Sequence, residues 1–150
     1  MVAFQSRADL FRSGVDTGHN QIWWAEYDKV THEATVRRLT NGDGDSINPN
    51  LGAVSRTLVF ESVATNLAGV PGGSQIYRSS RLDVTPITVE QVTFQSAFGD
   101  CHYPSLSPGA DRIAFICDGD PLANGTDGPR AFTFDLDEGD LRQLTGAGQV

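Results

Sequence analysis

Residues 103–115 read Tyr-Pro-Ser-Leu-Ser-Pro-Gly-Ala-Asp-Arg-Ile-Ala-Phe. Two short apolar segments flank a turn, in which proline presets φ and glycine permits a left-handed backbone. Apolar and β-branched residues bounded by turn residues are typical of strands. The stretch therefore predicts a β-hairpin.

The second half of this hairpin recurs through the chain. Ile-Ala-Phe-Ile-Cys at 113–117 matches Leu-Val-Phe-Glu-Ser at 58–62 and Val-Ala-Phe-Gln-Ser at 2–6. The phenylalanines of successive copies are 56 and 55 positions apart. A fixed period of this length indicates an array of structural repeats.

Three other segments recur in the same order, so each repeat has four predicted strands, named A to D. Strand A lies at 47–51 and 102–106, strand B at the positions given above, strand C at 21–24, 75–78 and 130–133, and strand D at 36–40, 89–93 and 141–145. No segment has the apolar spacing of a helix, so almost no helix is expected. The chain is predicted to be all-β, with three repeats at about 1–46, 47–99 and 100–150. Strand A of the first repeat is missing, which leaves eleven clear strands.

Composition sets limits on function. The chain of 150 residues is 39% hydrophobic and 20% charged, which is typical of a folded domain. Its net charge of −8 argues against a nucleic-acid partner, because phosphate binding needs clustered Lys and Arg. No apolar stretch is long enough for a membrane helix, and no signal peptide is visible at the amino terminus.

The stretch 103–115 resembles the blade signature of TolB-like, WD40-like propeller repeats of the PD40 type. Strand D, ending at Thr145, is similar to the end of such a blade, and the middle repeat resembles a bacterial subgroup. One departure is Gly-Ala-Asp at 109–111, where the family has Asp-Gly. The resemblance implies a β-propeller fold and, if a signal was removed, a bacterial periplasmic or secreted location. It does not single out a function, since such blades occur in scaffolds, peptidase gating domains and polysaccharide lyases.

Three blades are too few for a closed ring, because propellers typically have four to eight. An open stack would expose apolar blade faces. Two solutions are open: two copies pair into a six-bladed homodimer, or the chain is part of a longer propeller.

Strand direction places the B–C and D–A loops on one face, where the loops are long. Binding residues concentrate on such loops. The candidate ligand-binding residues are Asp16, His19, Asp43, Asp45, Asp100, His102, Asp118 and Asp120. This acidic face is suited to a cation, an amine or a basic partner. The alternative is that aspartates fill turns because they tolerate turn backbones.

Asp43 and Asp45 alternate with glycines, in a pattern that suggests calcium. Calcium needs six to eight oxygen ligands, and the EF-hand pattern is absent, so a solvated turn is the alternative. No other cofactor is expected.

Catalytic motifs such as Gly-x-Ser-x-Gly and His-Glu-x-x-His are absent. The sequence therefore favours a non-catalytic binding or scaffold module that engages a protein or small ligand on the long-loop face. The alternative is a segment of a propeller enzyme, a polysaccharide lyase or a peptidase-gating domain, that needs further blades.

Cys101 and Cys117 are the two cysteines. Pairing of strands A and B across the turn at 107–112 places them opposite each other. Either a cross-strand disulfide or two buried thiols would fit this position.

Overall fold

Three antiparallel sheets follow one another along the chain in a computed structural model. It describes residues 1–9, 18–53, 55–69, 72–83, 85–125 and 128–146, with the backbone alone of Gln95. Within these ranges the chain forms eleven strands in three sheets and one four-residue helical turn outside them, which confirms the all-β prediction. No helix within these ranges is long and apolar enough to cross a membrane.

The strands of each sheet are consecutive in sequence. The first sheet has the order β1 (Val2–Ser6), β2 (Gln21–Tyr27) and β3 (Ala34–Arg38). The second has the order β4 (Ser46–Leu51), β5 (Leu58–Ser62), β6 (Gln75–Ser79) and β7 (Glu90–Gln91). After the turn α1 (Gln95–Phe98), the third has the order β8 (Cys101–Leu106), β9 (Arg112–Cys117), β10 (Arg130–Asp135) and β11 (Leu141–Gln143). The first unit thus has three described strands, B to D, as expected for a first repeat without strand A.

The two A strands, β4 and β8, each carry a bulge. The register shifts between Ile47 and Asn50 in β4, and between His102 and Ser105 in β8. A bulge leaves a residue without a ladder partner and bends the strand. Each bulge contains a residue at positive φ immediately before a proline, so the two strands share one backbone shape.

Two apolar layers hold the sheets face to face. Between the first and second sheets, Trp24 packs with Phe60 and Tyr77, whose rings are stacked with centroids 5.6 Å apart. Between the second and third, Val59 packs against Phe115. All five side chains of β5 are buried because this strand is covered on both faces. Burial at roughly 25 cal/mol per Å² makes these layers the main source of stability.

The far face of the third sheet is less covered. Ala114 is exposed and Ile116 is half-buried, whereas Val59 and Glu61, at the same repeat positions in the second sheet, are buried. The difference arises because the second sheet is followed by the third. Within the described part of the chain, no further sheet follows the third.

Candidate functional site

The B–C and D–A loops meet at one end of the stacked sheets. There, a cavity of about 220 Å³ lies where β4 and β8 begin and β5 ends. Its lining consists of Asp45, Ile47, Glu61, Ser62, Val63, Ser74 and His102. The cavity thus brings Asp45 and His102, two predicted site residues, together with Glu61, which was not predicted.

Glu61 is a nearly buried carboxylate, with 5% of its side chain exposed. Its Oε2 accepts a hydrogen bond of 2.7 Å from the backbone N–H of Tyr103 in the β8 bulge. Its Oε1 lies 3.5 Å from Nδ1 of His102, whose side chain is 37% exposed. Glu61 therefore links the second and third sheets and places a carboxylate next to the partly exposed imidazole of His102.

The Glu61 contact has a counterpart one repeat earlier. Oε1 of Gln5 accepts a hydrogen bond of 2.7 Å from the N–H of Asn48, the bulge residue of β4. In both cases, a side chain on the B strand of the preceding sheet accepts a hydrogen bond from the bulge N–H, which the strand ladder leaves unpaired. Glutamine is sufficient for that role, so the charge of Glu61 is not required for the fold.

Asp45 and Asp100 occupy equivalent positions, each immediately before an A strand. The Asp45 Oδ1 accepts the N–H of Asn20 at 2.6 Å, and the Asp100 Oδ1 accepts the N–H of Ser74 at 3.1 Å. Both carboxylates thereby join the start of one sheet's C strand to the next sheet. This structural contact between sheets is a sufficient reason for an aspartate at both positions, and it requires no ligand.

His19 and Arg7 lie near the same Asp45 carboxylate. The His19 Nδ1 is 3.9 Å from Oδ1, and the Arg7 Nη2 is 3.8 Å from Oδ2. His19 therefore lies beside Asp45, another of the predicted site residues, while Asp16 lies outside the described residues.

Asp43 points to the B–C loop of the second sheet. Its carboxylate accepts the N–H of Thr65 at 2.6 Å, the Thr65 hydroxyl, and the N–H of Asn66 at 3.3 Å. The hydroxyl and backbone donors of Thr65 hold the pKa of Asp43 below its usual value. Among the described residues, no group of three or more His, Cys, Asp or Glu is arranged to hold a metal ion.

Asp118 and Asp120 lie in the B–C loop of the third sheet. The Asp118 N–H donates to the carbonyl of Asp100 at 3.0 Å, and its side chain is exposed. The Asp120 carboxylate accepts the N–H groups of Asn124 and Gly125. These hydrogen bonds stabilise the B–C loop of the third sheet, and Asp120 does not line the cavity.

Cys101 and Cys117 are paired in register and joined by a disulfide with an S–S distance of 2.02 Å. Both are fully buried between the second and third sheets. The equivalent pair in the second sheet is Ser46 and Ser62, whose hydroxyl oxygens are 2.9 Å apart.

Sequence reasoning missed Glu61 because it was considered only as part of a strand. One signal was available: a charged residue interrupts Leu-Val-Phe-Glu-Ser, a strand that is otherwise apolar. An ionisable residue is seldom buried without a partner. A search for charges within predicted core strands would have identified it.

Stacked antiparallel sheets, with their loops gathered at one end, define a run of β-propeller blades. A solved structure assigned as TolB from Agrobacterium tumefaciens is similar to this chain, at 26% sequence identity and a TM-score of 0.55. The similarity covers 84% of this chain and 41% of that structure, so the chain spans about two fifths of its length. These findings establish a TolB-like fold. No family model and no curated protein matches the sequence, and the more specific PD40 assignment stays a prediction.

Proposed function

We propose that this chain is a non-catalytic binding module whose loop face holds a partner through a positively charged group. The observation that carries the proposal is the cavity where Glu61, Asp45 and His102 meet. A Lys or Arg side chain would place its charge beside two carboxylates and its methylenes against Ile47 and Val63.

Electrostatics on a larger scale support the same partner. The net charge of −8 raises the local concentration of cationic groups and speeds their encounter with the protein. The cavity adds specificity for one site on the protein. Its carboxylate Glu61 is nearly buried, so salt screens its attraction for a cation less than it screens that of an exposed carboxylate.

The test compares two short acetylated peptides, Gly-Lys-Gly-Lys-Gly and Gly-Glu-Gly-Glu-Gly, by calorimetric titration at low and moderate salt. The lysine peptide is expected to bind, and Glu61→Gln is expected to weaken its binding at least tenfold, since charge-assisted contacts contribute about 1.5–3 kcal/mol. The glutamine keeps the acceptor for Tyr103, as Gln5 does for Asn48. Glu33→Gln, at an exposed position, is the matched control. Equal binding of both peptides, or equal effects of the two substitutions, would refute the proposal.

The proposal also includes assembly. The open face of the third sheet, which includes Ile116 of β9, is covered by a blade of a second copy, so that two chains form a six-bladed ring. The exposure of that face supports this arrangement, because propeller blades are covered on both sides. The mass of the protein in solution tests it, and that prediction is argued below at the scale of the whole molecule.

A further inference from the structure

Among the strands that the structure describes, β1 has a free edge where its counterparts have a neighbour. β5 lies between β4 and β6, and β9 lies between β8 and β10, so each of these B strands is hydrogen-bonded on both sides. Among the described strands, β1 pairs with β2 alone. An edge strand presents unpaired N–H and C=O groups to which another extended segment can bind.

The side chains of β1 show the same difference. Phe60 and Phe115 are 0% and 2% exposed, whereas Phe4 at the same repeat position is half-buried. Ser62 is buried, whereas Ser6 is half-buried. The residues of β1 are those of a covered strand, but the strand that covers them elsewhere is not beside them.

Ser6 indicates the chemistry of the missing neighbour. The Ser6 hydroxyl accepts the N–H of Ala8 at 3.1 Å, as the Ser62 hydroxyl accepts the N–H of Ala64 at 3.1 Å. Ser62 also contacts the hydroxyl of Ser46, the first residue of its A strand. Ser6 therefore makes the same local hydrogen bond as Ser62, and its position matches that of a residue that faces the hydroxyl of a serine or the thiol of a cysteine on strand A.

The two A strands in the chain define the rest of the sequence pattern. Both have Ser or Cys first, proline fourth and leucine sixth, as in Ser-Ile-Asn-Pro-Asn-Leu at 46–51 and Cys-His-Tyr-Pro-Ser-Leu at 101–106. The innermost layer is also continuous, because β8 contacts β4 and β4 contacts β1. A segment on the free edge of β1 would lie next to β4 and extend that layer.

We propose that the free edge of β1 is a strand-binding site for an extended segment of this pattern. Main-chain hydrogen bonds to β1 would give affinity, as in other cases of strand addition, and the residue opposite Ser6 would set the register. The site is separate from the acidic cavity, so it does not depend on the proposed function.

Register can be tested by disulfide trapping. The variant Ser6→Cys is mixed, in a glutathione redox buffer, with a peptide of residues 100–107, Asp-Cys-His-Tyr-Pro-Ser-Leu-Ser, whose cysteine pairs with Cys117 in the third sheet. Bound in the same register, the peptide cysteine would face residue 6. We expect at least about tenfold more mixed disulfide than with a scrambled peptide, because binding raises the effective concentration of the thiol.

Thr35→Cys is the matched control, since it lies exposed on β3, the other edge of the same sheet. Peptide mapping by mass spectrometry locates each bond. Equal trapping of the scrambled peptide, or equal trapping at position 35, would overturn the proposal.

A second measurement uses the unmodified chain, so that it does not depend on how Ser6→Cys folds. Amide hydrogen exchange is followed with and without the same peptide bearing serine in place of cysteine. Exchange within residues 2–6 should slow at least threefold with the ordered peptide and not with the scrambled one, since new main-chain hydrogen bonds protect the edge. Unchanged exchange at saturating peptide would refute strand binding. The variant Glu61→Gln should leave this result unchanged.

Discussion

Arg130 replaces a glutamine that the first two repeats share. In those repeats, Oε1 of Gln21 and of Gln75 accepts a hydrogen bond from the hydroxyl of a threonine that follows the D strand, Thr40 after β3 and Thr93 after β7. The third repeat keeps the threonine, Thr145, which still accepts the N–H of Ala131 at 3.0 Å. The Arg130 side chain is fully buried, and its Nε and Nη2 have no hydrogen-bond partner within the described part of the chain.

The Arg130→Gln substitution should therefore stabilise the protein. Arg130 has one close hydrogen bond, to the carbonyl of Gly119, and an aspartate, Asp120, at 3.8 Å. Loss of a buried cation with unpaired donors, and gain of the glutamine–threonine contact, should raise the free energy of unfolding by about 1–2 kcal/mol. Urea unfolding measures the change. The reciprocal variant Gln75→Arg should destabilise the protein, and a lower midpoint for Arg130→Gln would contradict the argument.

Asp43 should make stability depend on pH in acid. The Thr65 hydroxyl and backbone donors lower its folded pKa below the ordinary value of 3.8. The unfolded chain therefore binds a proton more readily than the folded one, so the stabilisation is complete above pH 3.8 and is lost as the pH falls through the folded pKa. Asp43→Asn should be less stable than the native protein at pH 6, and the difference should shrink toward pH 3.

Thermal unfolding at several pH values from 6 to 3 checks this expectation. Asp137→Asn, which also removes an exposed carboxylate from a turn, serves as the comparison. A stability difference between Asp43→Asn and the native protein that stays constant over this range would disprove the role assigned to Asp43.

At the scale of single elements, the hydroxyl pair in the second sheet should accept a disulfide. Ser46 and Ser62 are paired in register at the positions that Cys101 and Cys117 occupy in the third sheet. The double variant Ser46→Cys/Ser62→Cys should oxidise completely and gain roughly 2–4 kcal/mol of stability relative to its reduced form. Intact mass and thiol titration measure the bond. In Ser46→Cys/Gln75→Cys, the cysteines are two strands apart, about 9–10 Å, and should stay reduced.

Strand type and pairing were predictable because they depend on neighbours in sequence. Alternation and turn residues identify the strands, and the tight turn at 107–112 sets the pairing of strands A and B. The bulge in β8 then shifts that register by one residue, which places Cys101 opposite Cys117. The roles of Asp45 and Glu61 were not predictable in this way. Each depends on an N–H in another sheet, of Asn20 and Tyr103 respectively, and that contact exists only once the sheets have stacked.

At the scale of the whole molecule, stacking determines which strands are covered. β5 is covered on both faces, and every one of its residues is buried. β9 is covered on one face, so that Phe115 is buried while Ala114 is exposed. The same strand of the repeat is thus covered on both faces in the second sheet and on one face in the third. The exposed face of β9 is therefore suited to contact with another blade rather than with water.

Position 116 is where that contact can be tested. Glu61 accepts the N–H of the next A strand, whereas the third repeat has Ile116 at the equivalent position and so offers an apolar surface. If two copies close a ring through this face, the native protein should have twice the chain mass of 16.1 kDa by light scattering. Ile116→Glu should shift it to a monomer at micromolar concentration. Glu61 is paired by an N–H of the A strand β8, but the first sheet of a second copy has no described A strand, so the new carboxylate would be buried without a partner. Val30→Glu makes the same change in an exposed turn and should leave the dimer intact. A native protein that is monomeric at these concentrations would exclude ring closure by a second copy.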